Sequence, residues 1–352
     1  MSKSIDRKFA KAIFSISSLV IFLISSCANG DNGNAGAIGP GMQRDFYLGI
    51  VPSPRSIPTT TFEDITNAYA EAGRIAEVVM IWGNPGGIGL FEILKQNRVI
   101  TAARVYGLKP VLTLNFHTIK QIQAGGLSIL IDAPAGVTAD IADLEFRETW
   151  INEAKRIAEE FNPDYFSLGN EINDYFFLYP DDLEGYLSLF DQAYREIKKV
   201  SPQTKVFVVF SYTHLIDNNQ WELFKIFDKR ADLIGLTSYP WTHFDAPDEI
   251  TDNYYSRIDQ CTTKPIAFTE IGWPSTNSEE EQAEFLERFL QLIKENNVEM
   301  VNWLFFHEMD VTQGMGKYIF LPETGTIALK KVDGTEKEVY VVWKNLYMLQ
   351  KK

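Results

Sequence analysis

Cysteine, histidine and positive charge are scarce in this sequence. The two cysteines, Cys27 and Cys261, are too few for a disulfide scaffold. The four histidines, His117, His214, His243 and His307, lie far apart, and no pair has the close His-x-x-x-His spacing of zinc ligands. No metal and no other cofactor is therefore expected. With 33 basic residues against 47 acidic ones the formal net charge is −14, which argues against nucleic-acid partners and against electrostatic adhesion to anionic lipid. Apolar residues make up 45% and aromatic residues 13% of the chain, enough for a core with aromatic surplus for a binding cleft.

The amino terminus departs from this average. Lys3, Arg7, Lys8 and Lys11 precede an apolar run over 12–24 that ends in Ile24-Ser25-Ser26-Cys27. That run is too short to span a bilayer and suits the apolar part of a signal peptide. The small residues before Cys27 look like a bacterial lipobox, so Cys27 is expected to carry lipid after cleavage. Residues 1–26 then form a lipoprotein signal peptide, 27–44 a flexible tether poor in bulky apolar residues, and 45–350 the folded domain. The expected location is the bacterial cell envelope, at the outer membrane if the host has one. The membrane is reached through the lipid alone, and the folded part is read as a monomer.

From Phe46 onward, β-rich runs alternate with stretches of helical period. Strands are predicted at 47–51, 76–81, 110–114, 165–168, 205–210, 233–236, 266–269 and 301–305. Helices are predicted at 62–72, 90–106, 145–161, 182–200, 219–227, 254–260 and 279–296. Ser278 ahead of three glutamates is a helix-start signal. Eight strands alternating with helices imply a parallel sheet, and at this count closure into a (β/α)8 TIM barrel of one domain. The connection over 118–144, with Gly125-Gly126, is long and should overhang the barrel mouth.

Chemistry concentrates at strand exits. Gly169-Asn170-Glu171 ends predicted strand 4, and Thr269-Glu270-Ile-Gly-Trp273-Pro ends predicted strand 7. A charge at the end of an apolar run is costly unless paired or used. In an eight-stranded ring strands 4 and 7 lie across the mouth from each other, so the two carboxyls are expected to face one another. A pair at about 5–5.5 Å performs double displacement: one attacks the anomeric carbon and the other protonates the leaving oxygen. Trp82, Trp241, Trp273 and Trp303 sit at or just past strand ends, where their faces suit pyranose rings. Asn115 and His117, at the exit of strand 3, are further candidates for sugar contact. Glu308 and Asp310 are extra acids past strand 8, read as hydroxyl ligands or solvated charges.

These two motifs resemble the clan A glycoside hydrolases, nearest to the family 53 endo-β-1,4-galactanases and the family 17 β-1,3-glucanases. The resemblance spans roughly 46–346. It implies that Glu171 is the acid/base, Glu270 the nucleophile, Asn170 the ligand of the substrate 2-OH, Tyr239 the group orienting the nucleophile, and Trp303 the platform under the −1 sugar. The sequence departs from many clan members at Ile172, where they have proline, and at strand 2, where an arginine is missing from Ile81-Trp82-Gly83-Asn84. The function this implies is a retaining β-glycosidase, endo-acting on a β-linked polysaccharide such as galactan or glucan. A transglycosylase of the same fold and a non-catalytic glycan-binding lipoprotein remain open at this point.

Overall fold

The computed structural model describes residues 43–55, 60–121, 127–309 and 322–352. The leader, Cys27, most of the tether, Gly125-Gly126 and Asp310 lie outside the described residues. The eight expected strands are present: β1 Tyr47–Ile50, β2 Val78–Gly83, β3 Lys109–Leu114, β4 Tyr165–Ser167, β5, β6 Ile234–Ser238, β7 Ile266–Ile271 and β8 Val298–Trp303. Strand β5 runs as two segments, Lys205–Phe207 and Val209–Ser211. Its first segment pairs with β4 and its second with β6, all pairs being parallel. The N–H groups of Leu168 and Gly235 donate to Phe207 and Val208 on opposite sides of this strand. The ring of strands therefore closes through β5 into a (β/α)8 barrel.

Strand residues are buried on both faces, as parallel strands covered by helices must be: Val111, Leu112 and Leu114 of β3 have no exposed surface. Helices begin where the sequence supplies caps. Thr61 and Asp64 form a reciprocal capping box at Phe62–Ala72, and the Ser278 side chain accepts from the N–H of Glu281 at Glu279–Leu292.

Several expected boundaries differ. The helix predicted over 90–106 is two helices, Leu90–Asn97 and Val99–Val105, broken at Arg98 with φ 52°. The first buries Leu90, Phe91 and Leu94 and the second Val99, Ile100 and Ala103. An unbroken helix would place the second set about 180° around from the first, and the left-handed residue re-phases it. The helix expected over 254–260 is one turn, Ile258–Cys261. Gln43 and Arg44, assigned to the tether, pair in parallel with Gln350 and Lys351, and buried Arg44 donates to both oxygens of Glu77 at 2.6 and 2.8 Å. The long connection after β3 is an antiparallel hairpin, His117–Gln121 with Leu127–Ile131.

Candidate active site

Side-chain direction in the barrel follows from close contacts. A Cβ on Gly49 of β1 would meet Asn302 and Val78, whereas one on Gly83 would meet Leu90 of the helix layer. Val78, Met80 and Trp82 therefore face the barrel interior by alternation, which brings Trp82 to the mouth. Strand β7 breaks this alternation. Leu236 of β6 pairs with Phe268, but the next residue, Thr237, pairs with Glu270, so Thr269 is an extra residue in the ladder. Such a bulge re-aims the side chains beyond it. Phe268 packs outward on Phe289 and Tyr255, and Glu270 points inward beside Thr237.

The exit of β4 is equally specific. Gly169 has φ 153°, and a Cβ there would lie 2.6 Å from Ile172 and 3.0 Å from the Tyr186 hydroxyl. Glu171 follows in the left-handed region at φ 49°, uncommon for a residue with a side chain. Asn170, between them, is held on three sides. Its N–H donates to Asn115 Oδ1 at 2.9 Å, its carbonyl meets His117 Nε2 at 3.0 Å, and its Nδ2 donates to Glu270 Oε1 at 3.2 Å. Asn115 is fixed in turn by a 3.0 Å bond from its Nδ2 to Asn84 Oδ1. Asn170 Oδ1 is buried and has no partner.

The two glutamates sit in different surroundings. Tyr239 donates its hydroxyl to Glu270 Oε2 at 2.6 Å, so Glu270 accepts from two neutral donors that favour its ionised form. Burial nevertheless lifts its pKa above the ordinary carboxylate value. Glu171 Oε1 accepts from Thr237 Oγ1 at 2.6 Å. Burial, then the negative charges of Asp174 and Glu270, raise the Glu171 pKa to about 8, against the opposing Thr237 bond and His214. Burial drives His117 down to about 4, so it braces Asn170 as a neutral ring. Tyr239, raised well above its ordinary value by burial and then by Glu270, stays a neutral donor.

The structure thus brings Asn115, His117, Asn170, Glu171, Tyr239 and Glu270 into one network at the mouth. Trp82 and Trp241 are half-buried at the ends of β2 and β6, and their indole N–H groups have no partner. Trp303 and Trp273 are corrections. Trp303 has no exposed surface, packs against Phe285 and Trp343 in the helix layer, and donates its N–H to the Ile327 carbonyl at 2.7 Å. Trp273 is 2% exposed and stacks on Phe285. Both belong to the packing between barrel and helices, so neither is a sugar platform. Glu308 is bound by the buried Lys337 at 2.5 Å, and His307 is buried against Ser53.

Sequence reasoning missed Thr237 and Asp174 as members of the site. Asp174 stands one helical turn after Glu171, and that spacing was the available signal. A cavity of about 490 Å³ lined by Tyr212, Trp221, His243, Phe244, Tyr254 and Arg257 contains neither glutamate. The carboxylate network defines the site, because it joins paired acids to oriented donors.

The family model described as Glycosyl hydrolase family 53 matches residues 148–338, a span holding both glutamates. The chain belongs to glycosyl hydrolase family 53. The (β/α)8 barrel of this family 53 chain carries both glutamates of that span. Among solved structures it is similar to the exo-β-1,4-mannosidase Op5Man5 of Opitutaceae bacterium strain TAV5, with TM-score 0.64 and 15% identity over 86% of this chain and 60% of that one. A GH5_18 structure from Bifidobacterium longum subsp. longum gives TM-score 0.64 and 13% identity over 88% and 81%. A β-glucuronidase 2 of Bacteroides uniformis gives 0.57 and 14% over 87% and 35%. At these identities the likeness is one of fold. The chain spans 60% or less of the mannosidase and the glucuronidase. A curated relative, Peroxiredoxin PRX1, mitochondrial, of Saccharomyces cerevisiae, is 27% identical over 92 residues, 25% of this chain and 35% of that protein. That segment is too short to carry a fold across. Burial also raises the Cys261 thiol, the opposite of what a reactive thiolate needs.

Proposed function

We propose that this chain is a retaining β-glycosidase that cleaves a neutral β-linked polysaccharide such as galactan or glucan from within, with Glu270 as nucleophile and Glu171 as acid/base. The observation that carries the reading is the asymmetry of the two carboxyls: two neutral donors aim at Glu270, while like charge and burial favour a proton on Glu171. The Thr237 hydroxyl that touches Glu171 belongs to the residue directly beside Glu270 in the ladder. Glu171 thus reaches across the mouth to the strand beside Glu270, and the reading expects the separation of about 5–5.5 Å that double displacement needs.

In the first step Glu270 attacks the anomeric carbon and Glu171 gives its proton to the departing glycosidic oxygen. Esterification removes the Glu270 charge, the Glu171 pKa falls, and Glu171 takes a proton from the incoming water. Asn170 Oδ1 accepts from the 2-OH while its Nδ2 stays on Glu270. A uronic acid would meet the negative charges of Asp174 and Glu270, which favours a neutral sugar.

The test follows product anomers by NMR with β-1,4-galactan and β-1,3-glucan oligosaccharides. The β-anomer should form first, and Glu270→Ala should lose several orders of magnitude in turnover while keeping its fold. Azide should rescue Glu171→Ala on an activated aryl β-glycoside as the β-glycosyl azide. An α-anomer formed first would sink the assignment. We further propose secretion and lipid anchoring at Cys27, supported by the basic, apolar and small-residue pattern before it. Cys27→Ser should leave the chain unprocessed and without lipid label; normal processing and membrane recovery would refute this.

A further inference from the structure

We infer that Asp174 and His214 are positioning residues for the proton of Glu171, the Asp174 carboxylate holding it on the glutamate and the His214 imidazolium limiting that hold. The inference rests on the reading of Glu171 as acid/base. It starts from geometry. Asp174 lies one turn after Glu171, its N–H donating to the Glu171 carbonyl at 3.0 Å. His214 Nδ1 meets Asp174 Oδ1 at 2.8 Å from the neighbouring helix Tyr212–Asp217, which comes after β5.

The pair is held in place by a separate clamp. Asn173, fully buried, donates its Nδ2 to the Ser211 carbonyl at 3.1 Å and accepts from the Ser211 N–H at 2.8 Å. Gln220 closes the clamp, donating to the Asn173 carbonyl at 2.9 Å. The two helices that carry Asp174 and His214 therefore cannot slide past each other without breaking buried hydrogen bonds, which are expensive to leave unmade.

The charges around Glu171 assign the roles. Its own helix presents Asp174, the helix after β5 presents His214 with Asp217 behind it, β6 presents the Thr237 hydroxyl and the Tyr239 phenol, and β7 presents Glu270. The hairpin after β3 presents His117, kept neutral by burial. His214 is then the cation of the set: although burial opposes its charge, Asp174 and Glu171 raise its pKa to about 9. Among the charges acting on Glu171, Asp174 ranks ahead of Glu270 in holding the proton on, and His214 acts against both. During the glycosyl-enzyme stage Glu270 is uncharged and Asp174 remains. Asp174 then keeps Glu171 basic enough to take the proton of water.

The test uses the full chain and two readouts. Infrared titration of the carboxyl band that Glu171→Gln abolishes gives the Glu171 midpoint without substrate. Asp174→Asn should lower that midpoint by about one pH unit, in line with loss of a nearby like charge. His214→Gln should raise it, and the double variant should return near wild type. The alkaline limb of kcat/KM on a phenyl β-glycoside should move in the same directions. The acid limb should stay fixed, and kcat/KM of a dinitrophenyl glycoside, which reports glycosylation alone and whose leaving group needs little acid help, should shift far less than that of the phenyl glycoside. A purely structural pair would lower both substrates and leave the midpoint alone. Midpoints that do not move, or that move in the same direction in both single variants, overturn the inference. If Asp174→Asn does not fold, the sign of the His214→Gln shift still decides. Correct midpoint shifts in a chain that cleaves no glycoside would retain the pair and discard only the acid/base reading.

Discussion

The amide of Asn170 has one end committed and one end free, and this makes it the most informative single residue of the site. Its Nδ2 is committed to Glu270, and its Oδ1, buried and without a partner, is the atom left for a substrate hydroxyl. Hydrogen bonds to the 2-OH strengthen in the transition state, and a loss of about 1.5–3 kcal/mol there is roughly 10- to 150-fold in rate. Asn170→Ala should therefore lose about that factor in kcat/KM, and the loss should depend on the 2-OH. Wild type should discriminate strongly against a 2-deoxy glycoside and the variant hardly at all. Equal discrimination by both would place the 2-OH elsewhere. Gly169, just before it, is fixed by space instead of chemistry. Alanine there would collide with Ile172 and Tyr186 at a backbone angle that suits glycine. Gly169→Ala should cost about 1–3 kcal/mol, read as a lower denaturation midpoint, and should misplace Glu171 as well.

At the scale of elements, the alternation of strands and helices was legible because each has a local cause. Apolar runs bounded by caps, such as Thr61 with Asp64, give their positions away. The carboxylates were legible because a glutamate ending a buried strand has few other reasons to be there. The bulge at Thr269 was not, since its cause is the pairing of β7 with both neighbours. It turns Glu270 inward and lines Trp303 up with Ile271, facing the helices. The expected strand over 301–305 tracked an apolar run that in fact ends in loop, which hid the same fact. Two tryptophan variants separate the readings. Trp303→Ala should cost about 3–5 kcal/mol of stability with KM little changed in the folded fraction. Trp241→Ala, at the mouth, should raise KM several-fold at nearly unchanged stability. The reverse pattern in thermal melts and steady-state kinetics would restore Trp303 to the cleft.

At the scale of the whole molecule, the site imposes a pH dependence on folding itself. Glu171 rises from 4.5 to about 8 in the folded chain, so between those values the folded state holds a proton that the unfolded state has lost. Its contribution is complete below 4.5 and is lost as pH rises through about 8. His214, raised from 6.5 to about 9, acts in the same direction over its own window. On the acid side the signs reverse. Lys205 and Tyr165 outweigh burial at Glu299 and lower its pKa, and Lys330 does the same at Glu71. Those contributions are present above the ordinary carboxylate value and are lost as pH falls through the lowered one. His117, lowered by burial from 6.5 to about 4, gains stability as pH rises over that window and offsets the first part of the Glu171 loss. Stability should therefore peak near pH 5–6, between the two ordinary values of 4.5 and 6.5. Glu171→Gln, a permanent copy of the protonated acid, removes one alkaline loss. Its melting temperature relative to wild type should climb from pH 5 to about 8 and then level off, with each pH unit worth at most about 1.4 kcal/mol. An offset constant across that range would mean that Glu171 titrates as an ordinary carboxyl, and the acid/base assignment would lose its physical basis.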